Sequence, residues 1–172
     1  MILSEHPLTE QAEALIDSLQ REVVLLEQKE QQMEGLRQAV VASDDAALES
    51  LMAAIARTDV EQSRLDMDLA RRRAAVTEAL APGQPVMRLG QLAQALEGPQ
   101  GRVVDELRGE VLQRVRRLRR RHLETAILLA ECSRINRLLL DTLLGRGSSV
   151  ETYDASGQRR GQMDGGLLNT ER

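Results

Sequence analysis

Apolar residues recur along this chain at the spacing of packed helices. Between positions 8 and 42, Ala12, Leu19, Leu26, Met33 and Val40 fall seven apart, and Leu15 or Ile16 with Val23 adds a second row. A stripe of that period predicts a helix that packs lengthwise against others. Glu10, Glu13, Asp17, Glu22, Glu27 and Glu30 lie mostly off it. Gly35 sits inside the run at a cost of roughly 1 kcal/mol relative to Ala, so a bend or a close contact is expected there. Ser43, Asp44 and Asp45 follow. Their short side-chain oxygens suit the free amides of a helix's first turn, which places a break here and a second helix at about 45–80. Leu48, Ile55, Gln62, Leu69 and Val76 repeat every seven residues, beside Leu51, Leu65 and Ala79, with Gln62 a polar member of the row. So short a break predicts an antiparallel helical hairpin.

The segment APGQP (81–85) ends the second helix, because its prolines lack amide donors and restrict the residues before them. A short amphipathic piece at about 86–96 carries Val86, Leu89, Leu92 and Leu96, and EGPQG (97–101) breaks it. A third long helix is predicted at about 102–144. Val104, Val111, Leu118, Thr125, Cys132 and Leu139 form one row, with Leu107, Leu128 and Ile135, and Val115, Leu129 and Leu143, beside it. This helix exceeds the other two by about two turns, so one end must overhang or be covered by the short segment. Its C-terminal end, with Leu138, Leu139, Leu140, Leu143 and Leu144, is apolar most of the way round and calls for a partner. From Gly145 onward glycines alternate with Ser, Asp, Arg and Gln, a composition that stays flexible in water. The expected fold is all-α: an elongated antiparallel coiled-coil-like bundle of three long helices plus one short helix over 1–145, and a flexible tail over 146–172.

Composition narrows the function. The chain has 172 residues, 42% hydrophobic and 29% charged, with no Trp, no Phe and a single Tyr. Such a core is thin and aliphatic, which disfavours a deep substrate cavity. The net charge of −4 argues against a general nucleic-acid binder. Cys132 is the lone cysteine, which excludes an intramolecular disulfide; its place on the buried row predicts a small core residue. No basic leader followed by an apolar run opens the chain, and no stretch of about 18 apolar residues occurs, so the expectation is a cytoplasmic protein without membrane insertion. His6 and His122 are far apart, and no HExxH, CxxC, GxGxxG or phosphate-loop motif is present. No catalytic residue, metal site or cofactor is indicated, and an enzyme is the least favoured class.

Two features invite a functional reading. The run VRRLRRRH brings together Arg114, Arg116, Arg117, Arg119, Arg120 and Arg121. A basic helix can neutralise phosphates. Yet Val111, Val115 and Leu118 carry the apolar seam through the run, and Glu110 stands one turn before Arg114. Arginines that are solvated or paired across the bundle come first, an anionic protein partner second, nucleic acid third. Tyr153, the one aromatic, lies in the tail, either incidentally exposed or as the anchor of a short docking motif.

Three stretches carry a resemblance: LLEQKE (25–30), ASDDAALESLMAAIART (42–58) with Asp44, Leu48, Glu49 and Leu51, and INRLLLDTLLG (135–145) followed by TYDASGQ (152–158). Together they resemble the FlgN family of flagellar type III export chaperones. Residues 81–101 and the tail beyond Gly161 have no counterpart in that pattern. The resemblance implies a small cytosolic all-α protein that binds the C-terminal segments of hook-associated proteins, which form the hook–filament junction. It would prevent their early assembly and deliver them to the membrane export gate. On the matching positions, Leu128, Ile135, Leu138, Leu139 and Leu143 would meet the client. Tyr153, with Asp154 and Gly157, would engage the cytoplasmic domain of the export gate. No ATP or metal is implied. The alternatives from other classes are a coiled-coil scaffold or dimerisation module without an export role, and a helical nucleic-acid binder using the arginines of 114–121.

Overall fold

A computed structural model describes residues 5–144 together with the backbone of 151–153 and 159–161. Its elements in order are α1 (Glu5–Ala42), α2 (Asp45–Leu80), α3 (Leu89–Ala95), α4 (Pro99–Leu143), β1 (Glu151–Tyr153) and β2 (Arg159–Gly161). Residues 5–144 are all-α, three long helices and one short one. The long helices start within three residues of the positions the heptad pattern predicts. The chain divides into two compact units, one ending at Thr125 and one beginning at Ala126. The division falls inside α4, whereas the sequence places the edge of the helical domain near 145.

In the first unit α1 and α2 form an antiparallel hairpin. The break between them is chemically defined. Ser43 takes a left-handed conformation (φ 53°). Its amide donates to the Val40 carbonyl at 3.2 Å, and the Asp44 amide to the Ala39 carbonyl at 3.0 Å. These two bonds close the end of α1 by satisfying carbonyls that have no partner within the helix. The Asp44 carboxylate then accepts from the Ala47 amide at 2.9 Å and caps α2. Asp44 alone of the three candidates is the cap. At Gly35 the close contact expected from the sequence is present: a Cβ there would stand 3.2 Å from the Leu51 side chain.

The first part of α4 runs parallel to α1. Gln100 reaches the Thr9 carbonyl, Arg114 reaches Glu27, and Arg121 reaches Glu34, so the two helices advance together. The densest apolar core lies where four helices meet. Ala12, Leu15 and Leu19 of α1, Val76 of α2, Leu92 of α3 with Leu96 just beyond it, and Val104 of α4 are buried together. The short helix therefore caps one end of the first unit's core, a role the sequence leaves open. The loop before it is pinned to α2 by two bonds: Arg73 donates to the Met87 carbonyl at 3.1 Å, and the Met87 amide donates to the Thr77 hydroxyl at 3.1 Å. Gly98, with φ 76°, turns the chain from α3 into α4. Gly101 follows, buried where a Cβ would collide with the carbonyls of Ala93 and Leu96. Only a glycine permits α3 and α4 to approach this closely.

Away from that core the α1–α2 seam mixes buried leucines, among them Leu25, Leu26 and Leu65, with polar pairs. Ser18 donates to Asp68 at 2.9 Å, and Gln62 donates to both oxygens of the Glu22 carboxylate at 3.0 and 2.8 Å. Lys29 pairs with Asp59 at 3.0 Å, and Gln32 donates to the Thr58 hydroxyl at 2.7 Å. Polar residues inside a helical seam fix register at some cost in stability. The buried threonines fit the seam because each hydroxyl is satisfied within its own helix. Thr58, Thr77 and Thr125 donate to the carbonyls of Ala54, Arg73 and Arg121 at 2.8–3.0 Å.

In the second unit the rest of α4 is followed by a two-stranded antiparallel ladder in which Tyr153 stands opposite Arg159. Of the tail expected to be flexible, 151–153 and 159–161 are the described residues.

Candidate functional site

The C-terminal part of α4 carries the residues singled out for partner binding. It is helical for simple reasons. Leu, Arg and Ala predominate between 126 and 143, all good helix formers, and neither Gly nor Pro interrupts them. Arg134 donates to Glu131 one turn back, at 2.9 Å. Thr142 returns its hydroxyl to the Leu138 carbonyl at 2.8 Å. The pattern places Ile135, Leu138, Leu139 and Leu143 three or four residues apart, on one side of the helix.

Leu128 is half-buried, whereas Ile135, Leu138, Leu139 and Leu143 are exposed, Leu139 at 55% and Leu143 at 74%. Leu140 and Leu144 are exposed as well. Seven leucine and isoleucine side chains between 127 and 143 are thus open, counting Ile127 and Leu129 with Ile135, Leu138, Leu139, Leu140 and Leu143. Ile127 is the one of the seven that the sequence pattern does not single out. Its signal was available: it stands four residues after Leu123, another exposed apolar position, on a line of its own. Single exposed leucines are ordinary, whereas so many on one helix segment make it a candidate interaction surface.

Cys132 departs from its expectation. It lies on the row that holds Val104 and Thr125, yet it is only half-buried, as Val111 and Leu118 of that row are. Tyr153 lies on β1. Asp154 and Gly157 lie outside the described residues.

The arginine run splits in two. Arg114 faces α1 and α4 acids at once, 3.5 Å from Glu27, 4.0 Å from Glu30 and 3.2 Å from Glu110. Arg121 lies 3.6 Å from Glu34 and donates to the Glu30 carbonyl at 3.4 Å. Arg37 and Gln38 also bind Glu34, and these donors, with Arg121, hold its carboxyl down to about 2. Arg116, Arg117, Arg119 and Arg120 are exposed and make no ion pair with the described residues. The two that belong to the bundle, Arg114 and Arg121, stand seven residues apart on the row that faces α1.

Two further clefts line the first unit. A groove of about 550 Å³ between α1 and α2 is lined by the buried Leu25 and Leu65, by Val24, and by the charged Asp17, Arg21, Arg64 and Arg72. A smaller cleft of about 350 Å³ lies among Met33, Ile55, Leu118 and His122. Neither groups nucleophile, base and oxyanion donors as acyl or phosphoryl chemistry requires. Among the described residues no cluster of three His, Cys, Asp or Glu side chains has the disposition of a metal site. No described helix is long and apolar enough to cross a membrane.

Comparisons with protein-family models, with curated protein sequences and with solved structures returned no match to this chain.

Proposed function

We propose that this protein is a helical export chaperone of the FlgN kind, which uses the C-terminal part of α4 to hold the C-terminal segments of hook-associated proteins and its tail to engage the cytoplasmic domain of the flagellar export gate. One observation carries the proposal: the exposed set Ile135, Leu138, Leu139 and Leu143 on a helix that is otherwise well formed. An amphipathic client segment folds as a helix against such a stripe, reading it at intervals of three and four residues. Each leucine fully covered contributes roughly 1.5–3 kcal/mol before ordering and association costs are subtracted. Those costs keep a small interface at reversible affinity, as delivery requires. Tyr153 supplies one rigid aromatic anchor for a separate, weaker contact. The all-α fold and the sequence likeness at 135–145 and 152–158 support the same reading, which needs neither cofactor nor metal and is that of a cytoplasmic, non-enzymatic protein.

The test is calorimetry with peptides from the C-termini of hook-associated proteins. Binding to the full chain is expected, weakened by about tenfold or more in Leu139→Glu or Leu143→Glu and unchanged in Tyr153→Ala, which loses export instead. Unaltered peptide affinity in both leucine variants would place the client elsewhere. Light scattering on the free chain separates the scaffold alternative: a stable homo-oligomer that protects these leucines contradicts the chaperone reading.

A further inference from the structure

The outer face of α4 within the first unit is not accounted for by the client surface. Leu112, Arg116, Arg119 and Leu123 follow one another at intervals of four, three and four residues, with Arg117 and Arg120 beside them. At about 100° per residue Arg116, Arg120 and Leu123 lie roughly opposite the row Leu107, Val111, Leu118 and Thr125, while Leu112 and Arg119 stand at the near edge of the strip, where they border clefts shared with the neighbouring helices. All six side chains are exposed, Leu112 at 46% and Leu123 at 61%. The four arginines have no acidic partner among the described residues, although Glu124 stands one turn after Arg120.

That arrangement works against the isolated helix. Arg116 lies three and four residues from Arg119 and Arg120, and Arg117 lies three from Arg120, so like charges meet at the spacings where they repel. The bundle gains nothing from them, since Arg114 and Arg121 already supply its cross-helix pairs. An anionic partner removes the repulsion. Guanidinium groups bind carboxylates in a planar, two-point fashion, which also orients the partner. The exposed leucines at each end decide which anion. A phosphate backbone makes no use of them, and the strip has no aromatic platform for bases. A helix with leucines at coiled-coil spacing and glutamates on either side satisfies both features.

We infer that the strip bounded by Leu112 and Leu123 is a docking surface for an acidic amphipathic helix of another protein, separate from the leucines of 135–143. It does not rest on the chaperone reading, because none of its residues belongs to the client surface.

The experiment uses the full chain and a three-heptad peptide with Leu at the seam positions and Glu flanking them, its Lys-for-Glu counterpart, and a short DNA duplex. The acidic peptide is expected to bind, more weakly as salt rises, and the basic peptide is not. Arg116→Gln with Arg120→Gln weakens binding about tenfold and flattens the salt dependence; Leu123→Ser weakens it about threefold. Arg21→Gln, on α1, leaves it unchanged. Helix content by circular dichroism confirms that each variant is folded. Equal binding of the acidic and basic peptides overturns the inference. So does no binding of either, or DNA binding that exceeds the peptide's and is indifferent to Leu123→Ser.

Discussion

The two parts of α4 have the same sequence grammar and opposite fates. Up to Thr125 every member of the heptad row is covered at least in part: Val104 and Thr125 are buried, and Val111 and Leu118 half-buried. From Ala126 onward the same row supplies Cys132, half-buried, and Leu139, more than half exposed. Nothing in the periodicity distinguishes them. The pattern identifies which face of a helix is apolar; only the neighbouring elements determine whether that face is a core or an open surface. In this chain the difference separates residues that hold the fold from residues that stand exposed.

The comparison is broken most severely by truncation. Leu19→Ala, in the buried core, is expected to cost about 2–5 kcal/mol, whereas Leu139→Ser in the free protein changes stability by less than about 0.5 kcal/mol. Urea denaturation of the two variants measures both. Comparable losses would mean that the distal leucines are structural.

Next in size is the junction that encloses the N-terminal part of α4. Gly101→Ala forces a methyl against the Ala93 and Leu96 carbonyls and is expected to cost about 1–3 kcal/mol. Gly109→Ala, where a Cβ meets nothing within 4 Å, is expected to stabilise slightly, by up to about 1 kcal/mol. Thermal unfolding of the pair resolves whether close helix approach or backbone entropy governs each site.

The smallest effect sharpens the polar seam. Burial raises the Glu22 carboxyl above its ordinary value, with the Gln62 amide opposing the shift. A folded-state value above the unfolded one means that the native protein binds the extra proton. Glu22 therefore contributes stability that is complete below the ordinary carboxylate value and is lost as pH rises through the raised one. Glu34 runs the other way: its stabilisation is present above the ordinary value and is lost as pH falls towards about 2. Glu22→Gln is expected to remove the loss on the rising side and leave the acid limb in place. Unfolding midpoints across mildly acidic pH follow it; an unchanged profile would show that solvent reaches Glu22 freely.

Much of the fold was legible in the sequence because a seven-residue repeat is a strong local signal. The three long helices, the break at Ser43 and the polar place of Gln62 all follow from spacing and short polar side chains. The rest depends on contacts between residues distant in sequence. That α3 caps the core through Leu92, that Gly101 is obligatory, and that Gln32 bonds to Thr58 are facts of juxtaposition. The candidate site was legible as a crowd of leucines but not in its extent: Leu139 continues the row of Val104 and Thr125 and yet is more than half exposed. Likewise the arginine run reads as one cluster until α1 claims Arg114 and Arg121 and leaves four unclaimed.

The central claim is that the leucines of 135–143 are a free surface that a partner covers. The most direct measurement is methyl NMR of leucine-labelled full-length protein during titration with a hook-associated C-terminal peptide. The claim predicts shifts at Leu138, Leu139 and Leu143, with Leu15, Leu19 and Leu92 unmoved. Shifts confined to the α1–α2 groove at Leu25 and Leu65, with Leu139 and Leu143 silent, would contradict it.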